Sequence, residues 1–297
     1  MAANTETAAA AAPVRYKKKS QAWDTAKRVF RYPSAKVGGI LFVIIVLLAI
    51  LAPLIAPYGP LEMRLDQIFQ APSGAHWFGT DGMGRDNLSR LLYGAKYSLA
   101  LGLICSFTGN AIGVILGSIA GYFGGIVEDI IMRFCDIWSA IPGILLSIIL
   151  SATLGPGFFN TVLALSIGHF PNGARMTRGM ILAERSKEYI EAAESINTPK
   201  VLIMFKHLLP NVVAPSILAL TMGIGANITE AASLSYLGLG IQPPEPEWGA
   251  MLSYGTQYIT QYPYLLLFPG LAIGITVLAV NLMGDGLRDA LDPKLRN

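Results

Sequence analysis

The sequence predicts an all-α integral membrane protein with six transmembrane helices, and three observations carry that prediction. Its 297 residues are 53% hydrophobic and only 14% charged, with a mean hydropathy of +0.50, which is too apolar for an ordinary water-soluble globule. Apolar runs recur at lengths that cross a bilayer at about 1.5 Å per residue. The 22 lysines and arginines are divided unevenly between the loops that join those runs. The net charge of +3 follows the topology of a membrane chain and implies no nucleic-acid partner.

Residues 1–19 are an alanine run broken by Pro13 and followed by Arg15, Lys17, Lys18 and Lys19, a composition that buries no core and predicts a disordered arm. From Ser20 to Tyr32, Trp23, Ala26 and Phe30 share one helical face, while Lys27, Arg28 and Arg31 occupy another. That pattern fits an N-terminal interfacial elbow helix at the headgroup level, so residues 1–36 form one region, arm and elbow.

Residues 37–96 hold the first span and an outer loop. Gly39 to Ala56 is the span, and both it and the preceding arm are longer than a secretory signal, which favours an uncleaved anchor. In the polar loop beyond it, Asp86 is placed to cap a short helix with the apolar stripe Leu88, Leu91, Leu92 and Ala95. The loop is therefore expected to return and lie on the membrane, either as a ledge for a partner or as a plain interfacial helix.

Five further spans, at 97–121, 127–152, 158–179, 212–237 and 263–285, make up a core over residues 97–287, followed by a tail at 288–297. The second span carries Gly109, Gly113, Gly117, Gly121 and Gly125 at four-residue steps, a ridge that lets a neighbouring backbone approach closely. Pro142-Gly143 in the third span and Pro171 in the fourth predict bends. Cys105 and Cys135 lie inside spans without ligand spacing and read as reduced packing residues. Beyond the fifth span, Pro243, Pro244 and Pro246 impose an extended turn before a short helix near Trp248.

Two acids lie within spans. Asp136 follows Arg133 by three residues, which allows local neutralisation. Glu230 has Asn227, Thr229 and Ser233 around it and no basic neighbour in sequence, yet an ionisable group in lipid must face protein or water. Asn227 and Glu230 therefore either line a translocation path or hold a helix junction.

The loop 187–210 is polar, with helical periodicity. Ser186 is positioned to cap a first helix whose Glu188 and Glu191 sit near the positive end of its dipole, with Ala192 and Ala193 as a small, close-packing surface. Asn197 visits the left-handed region at little cost. Thr198 then offers a hydroxyl cap, with Pro199 at the first position of a second helix. Val201, Leu202, Phe205, Leu208 and Leu209 form its apolar face until Pro210 interrupts the ladder. Spacing alone leaves this loop either a connector or a docking element.

Six spans put both termini on one side. With the basic arm inside, only Arg64, Arg85, Arg90 and Lys96 of the 22 basic residues remain outside, so the termini and the Glu191 loop are expected in the cytosol. The sequence has no glycine-rich phosphate loop, no GxSxG and no HExxH, and its three histidines, His76, His169 and His207, stand apart. No catalytic, cofactor-binding or metal residue is assigned.

Glu191-Ala192-Ala193, a turn residue four positions after Ala193, and the ending Leu208-Leu209-Pro210 resemble the EAA loop of importer-type ABC transporter permeases. Asn197 stands where that family usually has glycine, and a left-handed turn tolerates either. Four blocks, KHLLPN, HWFGTDGMGRDNLSRLLYGAKYSL, LSYLGLGIQPPEPEWGAML and NLMGDGLRDALDPKLRN, are similar to the dipeptide, oligopeptide and nickel branch. The resemblance runs from about residue 23 to the C-terminus.

It implies the type I ABC importer permease fold, with Glu191, Ala192, Ala193, Asn197, Thr198, Pro199 and Pro210 forming a cytosolic coupling helix and turn. It also implies a bacterial inner-membrane location, a second homologous permease subunit, two ABC ATPase subunits and an extracytoplasmic solute-binding protein. The cargo implied is a peptide or related small solute, with a nickel or other metal complex as the alternative. The rival class, a membrane scaffold or intramembrane enzyme, has only Asp136 and Glu230 on separate helices as a catalytic pair, a poor fit.

The charge asymmetry makes a topological prediction. Single cysteines at Thr198 and Gln242, in a background lacking Cys105 and Cys135, are expected to react with an impermeant thiol reagent from opposite sides of the membrane. Labelling of both from outside would sink the six-span topology.

Overall fold

The structure is a computed structural model that describes residues 32–291. The expected arm, nearly all of the elbow and the end of the tail lie outside the described residues. Long helices dominate the described part: α1 (Pro33–Ile55), α2 (Asn87–Phe123), α3 (Gly125–Ser139), α4 (Gly143–Leu154) and α5 (Phe158–Arg185). After them come the short α6 (Glu188–Ser195) and α7 (Lys200–Ile203), a π-turn over Met204–Leu208, then α8 (Leu209–Tyr236), α9 (Trp248–Thr256) and α10 (Tyr264–Leu291). Among the described residues, extended pairing is limited to an isolated bridge between Thr80 and Asp86.

The all-α class holds, and the spans fall close to their expected bounds. Helices α1, α2, α8 and α10 are long and apolar enough to cross a membrane, and α3 with α4 makes a fifth unit bent by 83°. The bend falls at Pro142-Gly143, where the proline ends one hydrogen-bond ladder and starts the next. Helix α5 is 28 residues long and continues through Pro171, but its apolar content is below that of the others, so length and composition account for five of the six expected spans. Its charged and imidazole groups find partners on neighbouring helices: Arg178 pairs with Glu128, Arg175 with Asp136 and His169 with Glu230. Asp136 is thus neutralised from α5, at 3.1 Å, and not by Arg133 on its own helix as the spacing suggested.

Helix α5 lies along the glycine ridge of α2. A side-chain carbon added at Gly113, Gly117 or Gly121 would come under 3.0 Å from Gly173, Ala174 or Arg178 backbone atoms, and one at Gly109 would meet the Ser166 carbonyl at 3.4 Å. Gly125 does not belong to the ridge: it lies past the end of α2, with φ +54 and open space around it. Without a hydrophobic force between helices in lipid, such contact supplies the dispersion that holds them. Helices α1 and α10 meet in the same way, Gly38 against the Ala279 carbonyl and Gly286 against Ala35.

Residues 57–86 fold back over one end of the bundle. Asp86 caps α2 as expected, accepting from the Ser89 amide at 2.8 Å and its hydroxyl at 2.7 Å. Its other oxygen bonds buried His76 at 2.9 Å, whose far nitrogen meets Gln67 at 3.0 Å. The expected separate interfacial helix does not exist: Leu88 to Ala95 are the first turns of the 37-residue α2. Within that helix Gly94 lets the Pro246 carbonyl take the space that a side chain would fill.

The loop is pinned by aromatics, with Phe78 stacked on Phe268 at 3.9 Å and Phe69 on Tyr262 at 4.3 Å. The Tyr264 hydroxyl donates to the Thr80 carbonyl at 3.1 Å, and the Tyr254 hydroxyl accepts from the Gly82 amide at 3.0 Å. Helix α9 starts at Trp248, as the sequence suggested, capped by buried Glu247, which also accepts from Ser98 of α2 at 3.0 Å. Burial raises the pKa of that carboxyl, and the bonds from the Gly249 and Ala250 amides oppose the rise.

Gly113→Leu or Gly117→Leu is expected to abolish assembly in the membrane, because the contacted atoms are backbone and cannot yield. Leu116→Ala, on the same helix, is expected to cost no more than about 2–3 kcal/mol and to leave assembly intact. Size-exclusion profiles and membrane content of the three variants check this, and equal, normal assembly in all of them would refute the seam.

Candidate functional site

The Asn197 end of the bundle is built from α6, a tight turn and α7. Lys187 and not Ser186 stands at the start of α6, and no side chain caps it, because the Ser186 hydroxyl donates to the Ala183 carbonyl at the end of α5. Asn197 takes the left-handed conformation, φ +56. The turn closes with the Asn197 amide on the Glu194 carbonyl at 2.9 Å and the Thr198 amide on the Ala193 carbonyl at 3.1 Å, which meets carbonyls that the helix end would leave unpaired. Pro199 is extended and precedes the helix, which begins at Lys200, so Thr198 supplies no hydroxyl cap.

Pro210 does not end the second helix either. The π-turn over Met204–Leu208 carries the chain directly into α8, where Pro210 sits in the first turn and its missing amide matters little. The extra residue in that turn rotates the downstream helix by about 100°. The expected single apolar face is thereby divided. Leu208 turns inward with Ile190, Ala193, Ile203 and Met204, against Tyr122, Ile181 and Val212. Val201 and Phe205 remain 64% exposed and Ile196 79%, with Glu191, Ala192, Asn197 and Pro199 on the same exposed loop. This is an apolar ridge with a charged edge, running from the end of the eight-residue α6 across the turn to α7 and the π-turn that leads into α8.

Midway along the bundle, α2, α5 and α8 line a half-open cavity of about 250 Å³, with Ser106, Asn110, His169, Asn172 and Asn227 among its wall residues. Glu230 stands beside it with its carboxylate bonded to His169 Nε2, joining α8 to α5. The contact joins two helices, as the junction reading of Glu230 expects. Asn227 is on the cavity wall and donates to Ser106 Oγ at 2.7 Å. Sequence reasoning missed His169 as the partner of Glu230, since 61 residues separate them. The sole signal for it was the need of an intramembrane acid for a partner. Cys105 and Cys135 are buried and unpaired, and no three His, Cys, Asp or Glu side chains among the described residues converge as a metal site would require.

Comparison with known proteins agrees with this architecture. Residues 113–297 match the family described as binding-protein-dependent transport system inner membrane component. Residues 20–72 match the N-terminal TM domain of oligopeptide transport permease C. The chain is 44% identical to the glutathione transport system permease protein GsiD of Pectobacterium atrosepticum, over 91% of this chain and 90% of that one. It is 46% identical to GsiD of Escherichia coli, over 92% and 91%. Among solved structures, an inward-facing form of the MetNI methionine ABC transporter matches with a TM-score of 0.55 at 22% identity, over 68% of this chain and 97% of that chain.

Proposed function

The chain belongs to the family of binding-protein-dependent transport system inner membrane components, and from that premise we propose that it carries short peptides of the glutathione class across the inner membrane. As an ABC importer permease it is an integral membrane transport subunit and not an enzyme, and it works with ABC partner subunits. The peptide cargo is supported by the function named for relatives that match over nine-tenths of both chains.

The observation that carries the mechanism is the exposed ridge of Ile196, Val201 and Phe205 beside Glu191. An apolar ridge that faces water is unfavourable unless a partner covers it. In this reading the partner is an ATPase subunit, one of two, and the ridge faces the cytosol together with both termini. A second, homologous permease completes the path, and a binding protein delivers cargo to the end that carries the folded loop of residues 57–86. ATP-driven closure of the ATPases shifts the permeases between inward- and outward-open populations.

The turn gives the sharpest test. Glu191→Arg is expected to leave the protein in the membrane but lower glutathione-stimulated ATP hydrolysis and uptake at least about tenfold, as reversal of a hot-spot charge would. Asn197→Gly is expected to behave like the parent, since glycine takes the same turn. Asn197→Val is expected to lose about 1–2 kcal/mol at the turn and most of the coupling. Proteoliposomes containing the complete complex serve for all three, with membrane content and ATPase co-purification measured alongside. Full uptake by Glu191→Arg, or equal behaviour of the Gly and Val variants, excludes this loop as the coupling element.

A further inference from the structure

Among the described residues, one group on the wall of the central cavity can hold a positive charge. The lining contains no aspartate, glutamate, lysine or arginine, and its histidine is His169 of α5. That ring is neither sealed in nor fully spent. Its side chain is 33% exposed, Nε2 is bonded to Glu230 of α8, and Nδ1 has no hydrogen-bond partner among the described residues and is not occluded. Glu230 itself is not part of the lining, so the imidazole is what the pair shows to the cavity.

An acid within a bundle in lipid is costly unless a positive charge meets it. The imidazolium form of His169 does so through Nε2 and keeps a second donor, Nδ1–H, on the other side of the ring. A helix tie needs only the first of these bonds.

A further donor stands one turn along the same helix. Asn172 also lines the cavity, and its Oδ1 accepts from Arg175 Nη2 at 3.3 Å. A guanidinium has only donors to offer, so it fixes which way this amide is turned and leaves the amino group of Asn172 free to donate. A cation and a neutral donor three residues apart on one helix face suit a ligand with a negative charge and two acceptor oxygens. A metal ion would lack ligands, since no three His, Cys, Asp or Glu side chains converge among the described residues.

We propose that His169, charged and held by Glu230, recognises a carboxylate of the passing solute, with Asn172 as a neutral second donor. The proposal rests on the reading of the chain as a short-peptide permease and deepens it, because every peptide with a free C-terminus brings such a carboxylate. His169 is then a specificity residue, and Glu230 a positioning residue that acts through it.

The test uses the complete complex with its binding protein in proteoliposomes and three probes: glutathione and its two analogues in which one carboxylate is replaced by a carboxamide. Each is supplied at a concentration that fully loads the binding protein, whose preference cancels when uptake ratios are compared between permease variants. His169→Gln combined with Glu230→Gln keeps two amides that can bond across the junction but removes both charges. This pair is expected to lower glutathione uptake about tenfold, the worth of a charge-assisted hydrogen bond, while uptake of at least one carboxamide changes less than twofold. Asn172→Asp leaves the junction untouched and sets a negative charge beside His169. It is expected to shift the ratio in the same direction, and it is read where the paired variant fails to assemble.

Equal losses for all three probes, or unchanged ratios, in either assembled variant reduce His169 and Glu230 to a helix tie and leave the peptide reading intact. Failure of the parent complex to take up any of the probes, despite normal assembly, overturns the peptide reading and the carboxylate contact with it.

Discussion

Backbone contact between α2 and α5 is the constraint on which the rest of the bundle depends. At Gly113, Gly117 and Gly121 the space of a side chain is filled by the neighbouring main chain. Lipid supplies no hydrophobic force between helices, so close dispersion contact must take its place. The arrangement also explains how α5 keeps its polar character within a membrane protein. With one face against α2 and its charged groups directed at α3 and α8, its arginines and His169 meet Glu128, Asp136 and Glu230.

The same seam organises both ends. At one, the C-terminal ends of α2 and α5 present Tyr122 and Ile181, on which Ile190, Ile203 and Leu208 of the exposed loop are seated. At the other, the head of α2 carries Asp86, Ser89 and Ser98, which anchor the folded loop and the α9 cap. A single helix pair thus fixes the platform for the turn at Asn197 and the folded loop of residues 57–86, while the cavity lies between them against α8.

What was legible in the sequence was local or periodic. Asp86 could be read as a cap because cap and amide are three residues apart, and Asn197 as a left-handed turn because that preference belongs to the residue itself. The glycine ridge showed through its four-residue period, although Gly125 shares the period without sharing the helix. Contacts between distant segments were not legible. Nothing near Asp136 points to Arg175, or near Glu230 to His169, and Gly94 gives no sign that Pro246 lies against it. The two failed caps had a common cause: Ser186 and Thr198 each sit one residue from the place where a hydroxyl would be useful, a distance finer than sequence patterns resolve. The π-turn was invisible because it is a change of pitch that the residue pattern of Met204–Leu208 does not encode.

That π-turn has a mechanical consequence. Since no loop separates α7 from α8, Phe205 and Asn227 ride on one rod, with 22 residues, or roughly 33 Å at helical rise, between them. A connector with a hinge would absorb a push at one end. In the proposed coupling, the continuous helix would carry such a push to the cavity wall, through a ladder interrupted at the π-turn and Pro215. On that proposal, force at the ridge and the width of the cavity are two readings of a single displacement.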